Sequence, residues 1–244
     1  MQHYFICLLL LLPCYALADT IRVAVASNFS EPIKAISAKY KSHTGHRLLL
    51  VFGSTGKHYA QIKNGAPFEL FLAADTSRPQ LLEKQGIAID GSRFTYARGR
   101  LVLWSPRNDY VDAKGKVLDS GKYRHLAIAN PKLAPYGKAA QEVLESRGLW
   151  KTLQRRLVRG ESIGQTYQFV RSGNAELGFV AYSQINRPNH ITTGSYWVIP
   201  QMLYKPIEQQ AVLLKENIVA RDFMSFLQTQ EVKKIITKYG YDVW

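Results

Sequence analysis

Cysteine is nearly missing from this chain. Of its 244 residues two are cysteines, Cys7 and Cys14, and both fall within the first eighteen. From Asp19 onward no disulfide, thiolate metal centre or cysteine nucleophile can be built. Acidic residues are scarce as well: 18 Asp and Glu stand against 32 Lys and Arg, a formal charge of +14. Such a surface favours anionic partners without choosing among them. No apolar run approaches the ~20 residues needed to cross a bilayer, and no repeat or low-complexity linker divides the chain. His43, His46, His58, His125 and His190 lack paired ligand spacing, so they read as surface residues rather than a metal set. What remains, at 46% hydrophobic residues, is enough apolar material for a real core and two modest lobes.

Residues 1–18 stand apart. Ile6 to Leu12 form a short apolar run, followed by Pro13 and the small-residue pattern Ala16-Leu17-Ala18. This reads as a secretory signal peptide cleaved after Ala18, giving an exported, soluble protein. The start of this segment carries His3 but no Lys or Arg, and the competing reading is a membrane anchor. The apolar run is too short for that, and Leu12-Pro13 before Cys14 are wrong for a lipoprotein.

Beyond Asp19 short apolar runs alternate with amphipathic stretches, the pattern of an α/β protein with mainly parallel sheets. Strands are expected at 21–26, 47–52, 68–73, 101–104, 126–129, 177–181 and 210–214. The first helix should bury Ile33, Ile36, Ala38 and Tyr40 and end at Gly45. Further helices are expected at 57–63, 78–85, 136–147 and 165–171, with one long terminal helix at 220–239. The organisation expected is a lobe from 19–99 plus 200–244, and a second from 100–199, joined by strands that cross between them.

Four places share a local plan in which a strand runs into small or polar residues that open a helix. They are Ser27-Asn28, Gly53-Ser54-Thr55-Gly56, Ala134-Pro135-Tyr136-Gly137 and Ser162-Ile163-Gly164. Each offers free N–H groups at the positive end of a helix dipole, which suits an anion. Any one of them alone is an ordinary helix cap. As a set, two in each half of the chain, they would give donors from both lobes to a ligand in the cleft between them.

The segments Val23-Ala24-Val25-Ala26-Ser27-Asn28-Phe29, Phe52-Gly53-Ser54-Thr55-Gly56-Lys57 and Gly65-Ala66-Pro67-Phe68-Glu69-Leu70-Phe71-Leu72-Ala73-Ala74-Asp75 resemble the periplasmic molybdate-binding proteins of ABC transporters. Ala129-Asn130-Pro131 with Ala134-Pro135-Tyr136-Gly137, then Leu177-Gly178-Phe179-Val180-Ala181 and Lys238-Tyr239-Gly240-Tyr241, are similar to the same family. The resemblance implies a two-lobed periplasmic binding protein of type II-like architecture. Its ligand would be dehydrated molybdate or tungstate, held by neutral hydrogen-bond donors. It needs no cofactor and no direct protein ligand to the metal, and as a monomer it would deliver the ion to a membrane permease with a cytoplasmic ATPase.

Carried onto this chain, Ser27 matches the first-loop hydroxyl, with Asn28 beside it, and Ser54 and Thr55 share the second-loop position. Tyr136 and Ile163 fall where the family uses main-chain N–H groups. A binding tyrosine that some members carry directly after the strand is here Ala181, and the tyrosine follows at Tyr182. One residue of shift turns a strand side chain to the other face, so Tyr136 is the favoured phenol and Tyr182 the second choice.

Other chemistries fit less well. Gly56-Lys57 lacks the upstream glycine of a phosphate loop, since Val51 stands there, and His58 follows in place of Ser or Thr. Ser54 with His58 has no orienting carboxylate, so no enzyme is expected. Asp75 would repel an oxyanion and is read as a helix cap, and Lys57 and Lys138 as solvated surface residues. A ferric-ion binder would want adjacent tyrosines with carboxylate or His support. A basic module coating anionic surfaces would use Lys151, Arg155, Arg156 and Arg159 on a helical 149–159, otherwise a solvated face; nucleic acid is not an expected partner.

Overall fold

A computed structural model describes residues 19–244; the signal-peptide reading lies outside the described residues. In chain order the elements are β1 (Thr20–Ala26), α1 (Ser30–Thr44), β2 (Arg47–Gly53), α2 (Thr55–Lys63), β3 (Leu70–Leu72), α3 (Ser77–Lys84), β4 (Phe94–Gly99), β5 (Leu101–Ser105), α4 (Val117–Ser120) and β6 (Leu126–Ala129). They continue with α5 (Pro135–Ser146), β7 (Leu157–Gly160), α6 (Ile163–Arg171), β8 (Leu177–Ala181), α7 (Tyr182–Ile185), β9 (Ser195–Val198), β10 (Ile207–Leu213), α8 (Ile218–Leu227) and α9 (Gln230–Lys238).

Two five-stranded sheets result, ordered β2-β1-β3-β10-β4 and β7-β6-β8-β5-β9. The two-lobed α/β architecture is as the sequence indicated, and in detail each sheet is mixed. Three strands pair in parallel in each, β2-β1-β3 and β7-β6-β8. The other two strands of each sheet pair antiparallel, because they belong to the chain that crosses between lobes. One crossing is Arg100, between β4 and β5; the other follows β9 into β10.

Each sheet is covered on both faces, which is why its central strands read as continuous apolar runs. Ile21, Val23 and Val25 pack with Ile33, Ile36 and Tyr40 of α1 and with Phe223 and Val232 of α8 and α9. The opposite face, with Ala24 and Phe71, packs on Ile62 and Leu82 of α2 and α3. In the second sheet Leu101, Leu103 and Phe179 meet Tyr136, Ala140 and Val143 of α5, while Val102, Trp104 and Val180 meet Val170 of α6.

Several expectations change in detail. Ala38 is exposed, because a buried face at Ile33, Ile36 and Tyr40 leaves position 38 turned outward. The single terminal helix is two, since Thr229 caps α9 by accepting from Val232 N at 3.4 Å. The basic stretch 149–159 is no helix: it forms turns, a short 3-10 segment at Gln154–Arg156 and then β7. Within it Arg156 is held by the Gly121 and Tyr123 carbonyls and lies over the Tyr123 ring, so it is a structural brace rather than part of a free face.

Candidate functional site

The four helix-opening loops meet where the lobes touch. Ser54 caps α2, its Oγ accepting from Lys57 N at 3.3 Å, and Ser162 caps α6 by accepting from Gln165 N at 3.2 Å. Pro135 sits in the first turn of α5, where the missing N–H costs nothing. Ser27 opens the 3-10 turn Ser27–Phe29 that links β1 to α1. Two direct bonds join these loops across the lobes: Gly164 N donates to Ser27 Oγ at 3.0 Å, and Gly56 N donates to Leu133 O at 2.8 Å. The backbones approach so closely that a Cβ added at Gly56 would lie 2.9 Å from Leu133 O and 3.0 Å from its Cα.

The chemistry of the junction is neutral and donor-rich. Ser27, Ser54, Thr55 and Tyr136 are all buried, and each hydroxyl oxygen already accepts from nitrogen. Ser27 takes Gly164 N, Ser54 takes Lys57 N, Thr55 takes Ala74 N at 3.1 Å, and Tyr136 takes Gln209 Nε2 at 3.3 Å. A hydroxyl whose oxygen is occupied in this way keeps its one proton to give elsewhere, and an acceptor-only oxyanion can use only donors. At the first turns of α5 and α6, the N–H groups of Tyr136 and Ile163 have no acceptor among the described residues, as helix N-termini leave them.

Among the described residues, the charged side chains nearest these loops are paired with one another or exposed. Burial pushes the Tyr136 and Tyr96 phenols well above their usual range and Tyr241 up to about 12, so all three stay neutral. Asp75 is held by Arg78, whose N–H bonds Asp75 Oδ1 at 3.1 Å at the start of α3. Lys57 and Lys138 are exposed, and Lys57 reaches Glu161 across the lobes at 3.3 Å.

Of the sequence-predicted residues, Ser27, Asn28, Ser54, Thr55, Tyr136 and Ile163 come together at the lobe junction. Tyr182 does not: it packs beside Tyr196 at 6.0 Å between ring centroids and beneath Gly240. Ala181 belongs to the cluster that holds Tyr136, while Tyr182 packs with the cluster on the other face of the second sheet. Asn28 arrives with its Nδ2 committed, donating to Gln209 Oε1 at 2.8 Å and to Tyr241 Oη at 3.0 Å, while its buried Oδ1 has no partner among the described residues. Its main-chain carbonyl accepts from Tyr241 Oη at 2.8 Å and Ser183 Oγ at 2.9 Å.

The sequence reading missed Gln209, Tyr241 and Ser183, all buried in this network. The polar run Glu208-Gln209-Gln210 leading into the apolar Ala211-Val212-Leu213 of β10 is the available signal. It also placed His58 on the surface, whereas the ring is buried against Phe68 and Phe71. There Nε2 lies 3.2 Å from Val25 O and Nδ1 3.1 Å from Gln61 Oε1. That burial lowers its pKa.

Two sheets joined by crossing strands, with helix N-termini and buried hydroxyls of both facing one junction, define a two-lobed solute-binding protein. The chain belongs to the family described as bacterial extracellular solute-binding proteins, whose model matches residues 21–242, a family of carriers rather than enzymes. It is 50% identical to the molybdate-binding protein ModA of Azotobacter vinelandii over 95% of this chain and 93% of that one. With the molybdate-binding protein ModA of Rhodobacter capsulatus it shares 51% identity over 93% and 89%. Among solved structures, an Azotobacter vinelandii periplasmic molybdate-binding protein superimposes with a TM-score of 0.89 at 42% identity, covering 92% of this chain and 99% of that one.

Proposed function

We propose that this chain is a periplasmic carrier that captures molybdate or tungstate between its lobes and delivers it to an ABC permease with a cytoplasmic ATPase. The observation that carries the choice of ligand is the 50% identity to a molybdate-binding protein across 95% of the chain. The site reading rests on the junction: hydroxyls of Ser27, Ser54, Thr55 and Tyr136, the N–H groups of Tyr136 and Ile163, and Asn28 as a brace. Each hydroxyl has its oxygen occupied; the protons of Ser27, Ser54 and Thr55 meet no acceptor among the described residues, and that of Tyr136 has the Tyr241 hydroxyl beside it.

Neutral donors suit a carrier. A dehydrated dianion needs many hydrogen bonds, whereas a buried Arg or Lys would add its own desolvation cost and slow release. Only the closed form brings donors of both lobes to one ion, so ligand binding favours closure. The lobes are taken as 19–99 with 200–244, and 100–199. Residues 1–18 are the cleaved export signal, and the mature protein acts as a monomer.

Isothermal titration of residues 19–244 against molybdate, tungstate, sulfate and phosphate tests the reading. One-to-one binding of molybdate and tungstate, with no heat from sulfate or phosphate, is the expected outcome. Silence from molybdate and tungstate would overturn it.

A further inference from the structure

Three of the four junction hydroxyls are primed by main-chain N–H groups, those of Gly164, Lys57 and Ala74. The fourth, Tyr136, is primed by a side chain. Gln209 is fully buried in β10, an unusual place for a primary amide, and its side chain bonds residues of both lobes. Its Oε1 accepts from Asn28 Nδ2 at 2.8 Å and from Tyr96 Oη at 3.1 Å, and its Nε2 donates to Tyr136 Oη at 3.3 Å. It thus ties a loop of the first lobe to a helix of the second.

Two backbone features place it there. The β10-β4 register shifts between Gln209 and Gln210, and such an irregularity re-aims a strand side chain. On β4, Gly99 pairs with Ile207, two places from Gln209, and a Cβ added there would lie 1.9 Å from Tyr136 Oη and 2.7 Å from Gln209 Nε2. A glycine at that point leaves the space in which the amide and the phenol meet.

We infer that Gln209 is a positioning residue for oxyanion binding: by donating to Tyr136 Oη and accepting from Asn28 it fixes the direction of the Tyr136 proton, which then points at the ion. The inference rests on the oxyanion reading above. A phenol has one proton. With Gln209 as donor, Tyr136 cannot spend that proton on the amide, and an acceptor-only ligand competes for it with the neighbouring Tyr241 hydroxyl. An acceptor in place of Nε2 would reverse the bond and turn the proton away from the cleft. The titratable groups facing Gln209 are Tyr96 from β4, Tyr136 from α5 and Tyr241 from the C-terminal segment, with Asp75 acting on Tyr96 from further off.

The test uses Gln209→Glu, Gln209→Met, Tyr136→Phe and the Gln209→Met/Tyr136→Phe double variant, each titrated with molybdate after its thermal midpoint is recorded. Gln209→Glu has the same shape and swaps the donor for an acceptor. It should weaken molybdate binding about tenfold or more at neutral pH. Burial raises the pKa of its carboxyl, so binding recovers as the pH falls while the unsubstituted protein shows no such rise. Gln209→Met should lose about as much as Tyr136→Phe, and the double variant little more than either, because one acts through the other. Losses that multiply in the double variant, or a Gln209→Glu protein that binds like the parent at every pH, would overturn the inference. If Gln209→Met does not fold, the pH profile of Gln209→Glu decides. Failure of the unsubstituted protein to bind molybdate would instead overturn the proposed function.

Discussion

The two lobes repeat one plan of sheet yet supply the junction in different ways. The first offers side-chain hydroxyls, Ser27 and Ser54 directly after β1 and β2 and Thr55 at the start of α2. The second offers the N-termini of α5 and α6, with Tyr136 a residue of the first of these helices and Ser162 capping the other. A hydroxyl can be deleted one substitution at a time, whereas a main-chain N–H is tested only by moving the helix that carries it. The lobes therefore call for different experiments, side-chain truncation in one and backbone displacement in the other.

Displacement should have the largest effect at Gly137. A Cβ there would lie 2.2 Å from Ala129 O, and backbone at the end of β6 has no room to yield. Gly137→Ala should cost ~3 kcal/mol of stability, the scale of severe overpacking; an unchanged denaturation midpoint would show that α5 is not seated as described. Gly56→Ala separates closure from folding. In the first turn of α2 alanine is the better helix former by up to ~1 kcal/mol, yet its Cβ strikes Leu133 of the other lobe. Melting should hold or rise while calorimetric affinity for molybdate falls by roughly 1–3 kcal/mol, the usual cost of an added methyl in a tight contact.

Acid tests a smaller asymmetry. The lowered pKa of His58 means that the unfolded chain binds a proton which the folded first lobe resists. Its contribution to stability is full above the ordinary value near 6.5 and is lost as pH falls from there through the lowered folded value. Denaturation from about pH 7.5 to 5.5 should show the unsubstituted protein losing more stability than His58→Gln does; parallel curves would contradict the buried ring. The smallest effect belongs to Lys57→Ala. The Lys57–Glu161 pair spans the lobes with both side chains more than half exposed, so its loss should change molybdate affinity by less than ~1 kcal/mol, and less still at high salt.

What the sequence made legible followed from strong local signals. Gly45, Gly86 and Gly148 adopt positive φ at helix ends, as helix-stop glycines do, and β6 and β8 have the expected bounds because buried apolar runs flanked by polar residues are unambiguous. What escaped depends on tertiary contacts. β9 and β4 are edge strands whose pairing partners lie far along the chain, and β7 begins inside a basic stretch that looked helical. The break at Thr229 has no Gly or Pro to mark it.

The junction shows the same division. Ser27, Asn28, the Ser54-Thr55 pair, Tyr136 and Ile163 were found because each opens a helix after a strand, a pattern visible in one dimension. Gln209 and Tyr241 were not, since they meet Asn28 from 181 and 213 residues away. No spacing rule reaches that far. Tyr182 was retained on resemblance although strand alternation already turned it to the opposite face, and the packing against Tyr196 follows the alternation.

The claim that ties these observations together is that one oxyanion sits where the two lobes touch. Crystals of residues 19–244 grown with molybdate, measured at an X-ray energy where molybdenum scatters anomalously, test it most directly. The account predicts a single molybdenum peak between the Ser27 loop and the first turns of α5 and α6, within hydrogen-bonding reach of the Ser27 and Tyr136 hydroxyls through its oxygens. A peak elsewhere, such as the cavity lined by Arg107, Arg124 and Arg156, with none at the lobe junction, would contradict it.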